Sequence, residues 1–162
     1  LGREIVGEEF LSMENEKESL FREIYTDEVE TLAGWLPFLE NLKSEGFKTG
    51  VATSAPRANL DLIMGKVGFE KHMESILASE DVTAHKPDPQ VYLKSAGKLE
   101  VETSNCIVFE DSYSGVSAAI NAGMKVVGVL SSHSKKELPP CDLYIENYDT
   151  LELELIHQIL NK

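Results

Sequence analysis

Short apolar runs alternate along the chain with longer stretches whose apolar residues have helical spacing. The runs of strand length are residues 49–53, 75–78, 106–109, 125–130 and 143–145. Helical patterns cover residues 12–25, 57–67, 89–98, 113–122 and 151–160, with another between Gly34 and Gly46. Strands that alternate with helices predict βαβ units, and hence an α/β fold with a doubly wound parallel sheet.

Composition and charge narrow the possible partners and compartment. A chain of 162 residues, 42% of them hydrophobic, is sufficient for one domain or one domain with a small appendage. The net charge of −13 argues against binding to nucleic acid or to an anionic membrane. We find no apolar run long enough to span a bilayer and no signal-peptide pattern, so we expect the protein to be located in the cytoplasm. Cys106 and Cys141 form no zinc or redox motif, and we interpret Cys106 as a buried apolar residue.

Polar residues follow three of the predicted strands at their carboxyl ends, where parallel sheets bind ligands. Thr53 and Ser54 offer hydroxyl and backbone N–H groups suited to phosphate oxygens. Lys86 precedes a stiff Pro-Asp-Pro segment and could hold an ammonium against an anion. Glu110 and Asp111 provide the hard oxygen ligands that Mg²⁺ prefers. Together they predict a site for phosphoryl transfer.

Each of these segments also has a purely structural interpretation. Thr53 or Ser54 could cap the helix that follows, and Asp111 or Ser112 could do the same for the next one. Lys86 could be an ordinary loop lysine before a helix that starts at a proline. The polar segment 131–140 is expected to be a plain surface loop.

Four segments in this order resemble the haloacid dehalogenase (HAD) superfamily, in particular its β-phosphoglucomutase-like phosphatase branch. They read VATSA, KPDP, VFEDSYSGVSAAINAG and MKVVGV. The spacings also fit, with 33 residues from Thr53 to Lys86 and 25 from Lys86 to Asp111. The resemblance extends from Gly2 to the final helix, and it implies a HAD-like Rossmannoid core with part of a helical cap.

The resemblance implies a role for each strand-end residue. Thr53, with the backbone of Ser54, would hold the phosphoryl group, and Lys86 would balance its charge. Asp111, assisted by Glu110, would bind Mg²⁺. Residues 1–28 would be the remainder of the cap, in which Gly2 and Arg3 reach toward the substrate, and residues 29–162 would be the phosphatase core.

One element of the family pattern has no counterpart in this sequence. The family's first strand ends in Asp-x-Asp, whose aspartates are the nucleophile and the general acid/base, and no Asp-x-Asp occurs here. In the family this strand lies in the middle of the sheet, between the strands at 49–53 and 106–109. We therefore expect these residues to be roughly the carboxyl-terminal three-quarters of a longer chain, monomeric at full length.

The leading interpretation is Mg²⁺-dependent phosphoryl transfer on a small phosphorylated metabolite, such as a sugar phosphate, by a phosphatase or a phosphohexomutase. The alternative is a non-catalytic phosphate- or Mg²⁺-binding module, or a fragment completed by another chain. A receiver-like signalling domain fits less well, because it would place an acidic pair after the first strand and a lysine after the last. Because Lys86 lies in a predicted loop and would balance the charge of the phosphoryl group, replacing it with methionine is expected to spare folding.

Overall fold

The computed structural model describes residues 6–161, and it confirms the α/β fold. The helices are α1 Glu8–Tyr25, α2 Trp35–Ser44, α3 Arg57–Val67, α4 Gln90–Leu99, α5 Tyr113–Asn121 and α6 Leu153–Leu160. The strands are β1 Gly50–Ala52, β2 Ser75–Leu77, β3 Ile107–Glu110, β4 Lys125–Val129 and β5 Leu143–Ile145. The predicted elements are all present, and their ends coincide with the predicted ones or differ by up to four residues. Short 3₁₀ turns at Glu70–His72, Ser79–Asp81 and Thr103–Asn105 were not predicted.

All paired strands run parallel, as predicted, but the sheet is divided into two parts. β1 pairs with β2, while β4 lies between β3 and β5. Within residues 6–161 no ladder joins β1 to β3. A cavity of about 660 Å³ lies between these two strands and is lined by β1, β3 and side chains of α2 and α4.

The backbone groups on the two facing edges have no ladder partner among the described residues. Thr53 donates to Leu77 of β2. Because successive residues of a parallel strand point their backbone groups to opposite sides, Ala52 turns toward the cavity. In β3, the backbone groups of Phe109 likewise point away from β4. This free edge of β3 faces the free edge of β1. The opening therefore lies where the family resemblance puts an additional central strand.

Helices cover both faces of the sheet. The side chains of Leu77, Val108 and Val126 pack with α4 and α5 in one cluster. On the other face, apolar residues of β1 and β2 pack with α2 and α3, and those of β3, β4 and β5 pack with α2 and α6. Alternation along each strand thus supplies both halves of the core, as a doubly wound sheet requires.

Helix α1 is attached to the core through a buried polar contact. Arg22 donates to Asn59 Oδ1 at 2.8 Å, and Asn59 Nδ2 donates to Glu18 at 2.6 Å. The apolar side chains of Phe21 and Ile24 on α1 are exposed. Among the helices of the described part, none has the length and apolar composition that crossing a bilayer requires. The boundary between cap and core at residues 28 and 29 stays a prediction.

Candidate active site

Lys86 connects the two parts of the sheet at their carboxyl ends. Its loop lies between β2 and α4, and its side chain is only 7% exposed. The ammonium donates to the carbonyl oxygen of Ala52, at the end of β1, at 3.1 Å. It also forms an ion pair with Glu110, the last residue of β3. An ammonium has three N–H groups, so one remains for a ligand.

Glu110 accepts hydrogen bonds on both carboxylate oxygens. Oε1 accepts from Lys86 and, at 2.6 Å, from the hydroxyl of Tyr92. Oε2 accepts from the backbone N–H of Asp111 at 3.1 Å and from the hydroxyl of Ser112, also at 3.1 Å. Burial alone would raise the pKa of Glu110, but the charge of Lys86 and these hydrogen bonds outweigh it and hold the pKa below its ordinary value. Glu110 is therefore an anion that fixes the start of α5.

Asp111 is held by the loop that follows β4. Its Oδ2 accepts from the hydroxyls of Ser131 at 3.1 Å and Ser132 at 2.9 Å. Its backbone oxygen lies 3.0 Å from Nδ1 of His133. Within the described part of the chain, no hydrogen bond reaches Oδ1. Asp111 thus has a fixed carboxylate with one oxygen available for a cation.

Thr53 lies at the end of β1 and opens the turn into α3. Its hydroxyl oxygen accepts from the N–H of Ala55 at 3.0 Å, which leaves the hydroxyl proton free to be donated. Ser54, next along the turn, is exposed. Neither side chain caps α3, whose first N–H, that of Arg57, donates instead to Glu80. The capping interpretation of this turn is therefore wrong.

A cavity of about 260 Å³ brings most of the predicted residues together. Its polar wall consists of Thr53, Lys86, Glu110, Asp111 and Ser131. Its apolar wall consists of Leu32, Ala52, Phe109, Val129 and Tyr148. Ser54 is not among the lining residues, and Gly2 and Arg3 lie outside the described residues. Four of the seven predicted site residues therefore line one opening.

The acidic groups at the site are suited to a hard cation that also uses ligands from elsewhere. In the described part of the chain, no cluster of three or more acids, histidines or cysteines could hold a metal ion. Mg²⁺ usually takes only one or two protein carboxylates and completes its shell with water and substrate phosphate. The open Oδ1 of Asp111 fits one such ligand, while the Glu110 oxygens already accept hydrogen bonds.

Four residues that shape this site are not predicted from the sequence. Ser131 and Ser132 lie in the segment predicted to be a plain surface loop, and the available signal is their place just after the parallel strand β4. Tyr148 follows β5 and lines the cavity, where burial and the charge of Asp111 raise its pKa above the usual range. Tyr92 lies on the buried face of α4, and nothing in its spacing distinguishes it from a core residue.

Comparisons with known proteins identify the family. The family model for haloacid dehalogenase-like hydrolases matches residues 4–129. The chain belongs to this family. It is 30% identical to an Arabidopsis thaliana protein named 5-amino-6-(5-phospho-D-ribitylamino)uracil phosphatase, chloroplastic, over 87% of this chain and 38% of that protein. It is 32% identical to the beta-phosphoglucomutase of Bacillus subtilis, over 72% of this chain and 50% of the relative.

A solved structure agrees with this family assignment. A HAD hydrolase of family IA, variant 3, from Entamoeba histolytica superposes with a TM-score of 0.92 at 28% identity, covering 99% of this chain and 74% of that one. The chain thus spans about half or less of the two curated relatives named above and about three-quarters of the solved one. The HAD-like Rossmannoid fold predicted from the motifs is confirmed.

Proposed function

We propose that this protein transfers the phosphoryl group of a small phosphorylated metabolite, as a Mg²⁺-dependent phosphatase or phosphomutase. The observation that carries the proposal is the convergence of Thr53, Lys86 and Asp111 on one cavity at the ends of β1 and β3. The names of the relatives, a phosphatase and a beta-phosphoglucomutase, support the same reaction class. We further propose a sugar phosphate as the substrate.

Each residue has a distinct task in this proposal. The hydroxyl of Thr53 and the backbone N–H of Ser54 bind phosphoryl oxygens, and the remaining N–H of Lys86 donates to the same group. Asp111 is the carboxylate that would hold Mg²⁺, with Glu110 beside it. Mg²⁺ bound there would neutralise charge on the phosphoryl oxygens. The net charge of −13 repels an anionic substrate, so attraction has to come from these local groups.

A nucleophile completes the proposal. We propose that an additional strand, ending in Asp-x-Asp, fills the opening between β1 and β3. Such a strand would pair with both free edges and bring its first aspartate to the cavity that Lys86 and Asp111 line. Attack by that carboxylate on phosphorus would form an aspartyl-phosphate and release the substrate hydroxyl, and water would then hydrolyse the aspartyl-phosphate. In a mutase the phosphoryl group would return to the substrate, so exclusion of water by residues 1–28 and the rest of the cap would separate the two reactions.

The strand proposal is tested by hydrogen exchange on the protein as its gene encodes it, together with its intact mass. Lys125 N–H donates to the carbonyl of Cys106, so alternation along β3 turns the amide of Val108 toward β4 and those of Ile107 and Phe109 toward the opening. The amide of Val108 is therefore the internal control. We expect all three amides to exchange slowly, because a central strand would accept hydrogen bonds from the first two. Fast exchange at Ile107 and Phe109 beside a protected Val108 would contradict the proposal.

The reaction is tested by measuring phosphate release from a panel of sugar phosphates with and without Mg²⁺. We expect release that depends on Mg²⁺ and is lost in the Asp111→Asn variant. The alternative function, phosphate or Mg²⁺ binding without turnover, predicts saturable binding of inorganic phosphate and no release from any member of the panel. Absence of both release and binding would contradict either function.

A further inference from the structure

Tyr92 makes two contacts at the site that the proposed function does not explain. It lies on α4 and is 5% exposed. Its hydroxyl donates to Glu110 Oε1 at 2.6 Å. Its ring centre lies 4.7 Å from the ammonium nitrogen of Lys86, within the range of a cation–π contact. One side chain thus contacts both members of the buried ion pair.

These contacts affect what the Lys86 ammonium can offer to a ligand. Glu110 Oε1 accepts hydrogen bonds from both Tyr92 and Lys86. Because the two donors share one oxygen, the phenol weakens the hydrogen bond between Lys86 and Glu110. The aromatic ring blocks one side of the ammonium. The carbonyl of Ala52 fixes a second N–H, which leaves the cavity as the direction open to the third.

The phenol remains a hydrogen-bond donor at neutral pH. Burial raises the pKa of Tyr92 far above its usual value, and the charge and hydrogen bond of Glu110 raise it further. The Tyr92 O–H therefore donates to the Glu110 carboxylate at neutral pH. A phenylalanine at this position would keep the ring and lose only this bond.

We propose that Tyr92 is a positioning residue that directs the third N–H of Lys86 toward a bound phosphoryl group and limits the neutralisation of Lys86 by Glu110. The proposal rests on the proposed function, because a phosphoryl group has to be the ligand. Without the hydroxyl, Glu110 would attract Lys86 more strongly, and the ammonium would donate less effectively to phosphate.

The chain contains a matched control in Tyr144, on β5. Its hydroxyl is likewise hydrogen-bonded, accepting from Cys141 N–H at 3.0 Å and donating to the carbonyl of Pro139 at 3.1 Å, whereas the Tyr92 hydroxyl makes one such bond. Its ring also lies under a lysine, with Lys135 Nζ 4.6 Å from the ring centre. Tyr144 does not line the cavity that holds Lys86. Tyr144→Phe therefore removes a similar hydroxyl from a residue that does not line that cavity.

The first measurement is the affinity for inorganic phosphate, determined by calorimetry on wild type, Tyr92→Phe and Tyr144→Phe. We expect Tyr92→Phe to weaken phosphate binding by about tenfold, the effect of one hydrogen bond to a charged group. We expect Tyr144→Phe to remain within about twofold of wild type. Equal phosphate affinity in wild type and Tyr92→Phe, or equal losses in the two variants, would overturn the proposal.

The second measurement needs no ligand and separates this proposal from the proposed function. The Lys86 ammonium protons, assigned by comparison with Lys86→Met, are expected to give an NMR signal that exchanges slowly in wild type and Tyr144→Phe. In Tyr92→Phe we expect still slower exchange, because Glu110 then holds the ammonium more tightly. If the signal does not change, Tyr92 does not position Lys86 and the proposal is wrong. If it changes as expected while no protein binds phosphate, the effect on Lys86 is supported and it is the proposed function that fails.

Discussion

The carboxylate of Glu110 packs directly against Gly115 in the first turn of α5, with no space for a methyl group between them. A Cβ placed on Gly115 would overlap all three atoms of the carboxylate. Gly115→Ala should therefore displace Glu110 from Lys86 and from the N-terminus of α5. We expect a loss of about 2 kcal/mol in the free energy of unfolding, as for overpacking of a buried position, measured by urea denaturation.

A second helical glycine provides the control. Gly97, in α4, has no atom within 4 Å of a Cβ built on it. Gly97→Ala should leave stability unchanged or raise it by up to about 1 kcal/mol, because alanine favours the helix. A similar destabilisation in both variants would mean that the packing of Glu110 on Gly115 does not matter.

The buried pair of Lys86 and Glu110 changes the expectation for Lys86→Met. From the sequence alone this variant is expected to spare folding, but the Lys86 side chain is 7% exposed and that of Glu110 is 10% exposed. Removing the lysine leaves a buried carboxylate without its counter-charge. We expect a loss of about 3 kcal/mol in the free energy of unfolding, together with loss of phosphate binding.

The double variant Lys86→Met/Glu110→Gln separates charge from packing. Glutamine carries no charge, so the double variant should be more stable than Lys86→Met alone while binding phosphate no better. Urea denaturation of the four proteins of this cycle gives the coupling energy. Additive losses would show that the two side chains do not stabilise each other.

The order of elements and the chemistry at the strand ends were predictable because both depend on local sequence. An apolar run followed by a polar residue marks the end of a buried strand, and Thr53 and Asp111 were found in this way. Their proximity followed from the general rule for parallel sheets. Some element ends coincide with the predicted ones and others differ by up to four residues, since end residues are held by turns and 3₁₀ segments that periodicity does not encode.

Contacts between elements distant in sequence were not predictable. Ser132 reaches Asp111 across 21 residues, and Tyr92 reaches Glu110 across 18. A serine in a polar loop and a tyrosine on an apolar helix face each have an ordinary structural explanation. Only the packing of β4 beside β3, and of α4 beneath both parts of the sheet, brings them to the site.

Asp111→Asn is expected to weaken Mg²⁺ binding and to slow phosphate release. The substitution keeps the shape of the side chain and its contacts with Ser131 and Ser132 but removes the charge that would hold the cation. We expect turnover to fall by at least about a hundredfold and the half-saturating Mg²⁺ concentration to rise. Phosphate-release assays over a Mg²⁺ titration measure both. Asp61→Asn, at an exposed position on α3, is the control and should behave as wild type.

The stabilisation that Asp81 gives to the fold should be lost in acid. Its carboxylate accepts from the N–H of Ala78 at 2.8 Å and pairs with Arg57, and these contacts, the backbone bond first, lower its pKa. Because the pKa is lower in the folded than in the unfolded protein, the unfolded chain binds more protons as the pH falls. The stabilisation is therefore complete above the ordinary value near 3.8 and is lost as pH falls through the lowered value.

Asp81→Asn should lose this acid-sensitive contribution. We expect the variant to be less stable than wild type by about 1 kcal/mol at neutral pH, and the difference to shrink in strong acid. Urea denaturation across the acid range measures the two profiles. Glu146→Gln removes one exposed surface carboxylate and so controls for net charge alone. If the difference between wild type and Asp81→Asn stayed constant with pH, or if Glu146→Gln gave the same profile, the hydrogen bonds of Asp81 would not be the cause.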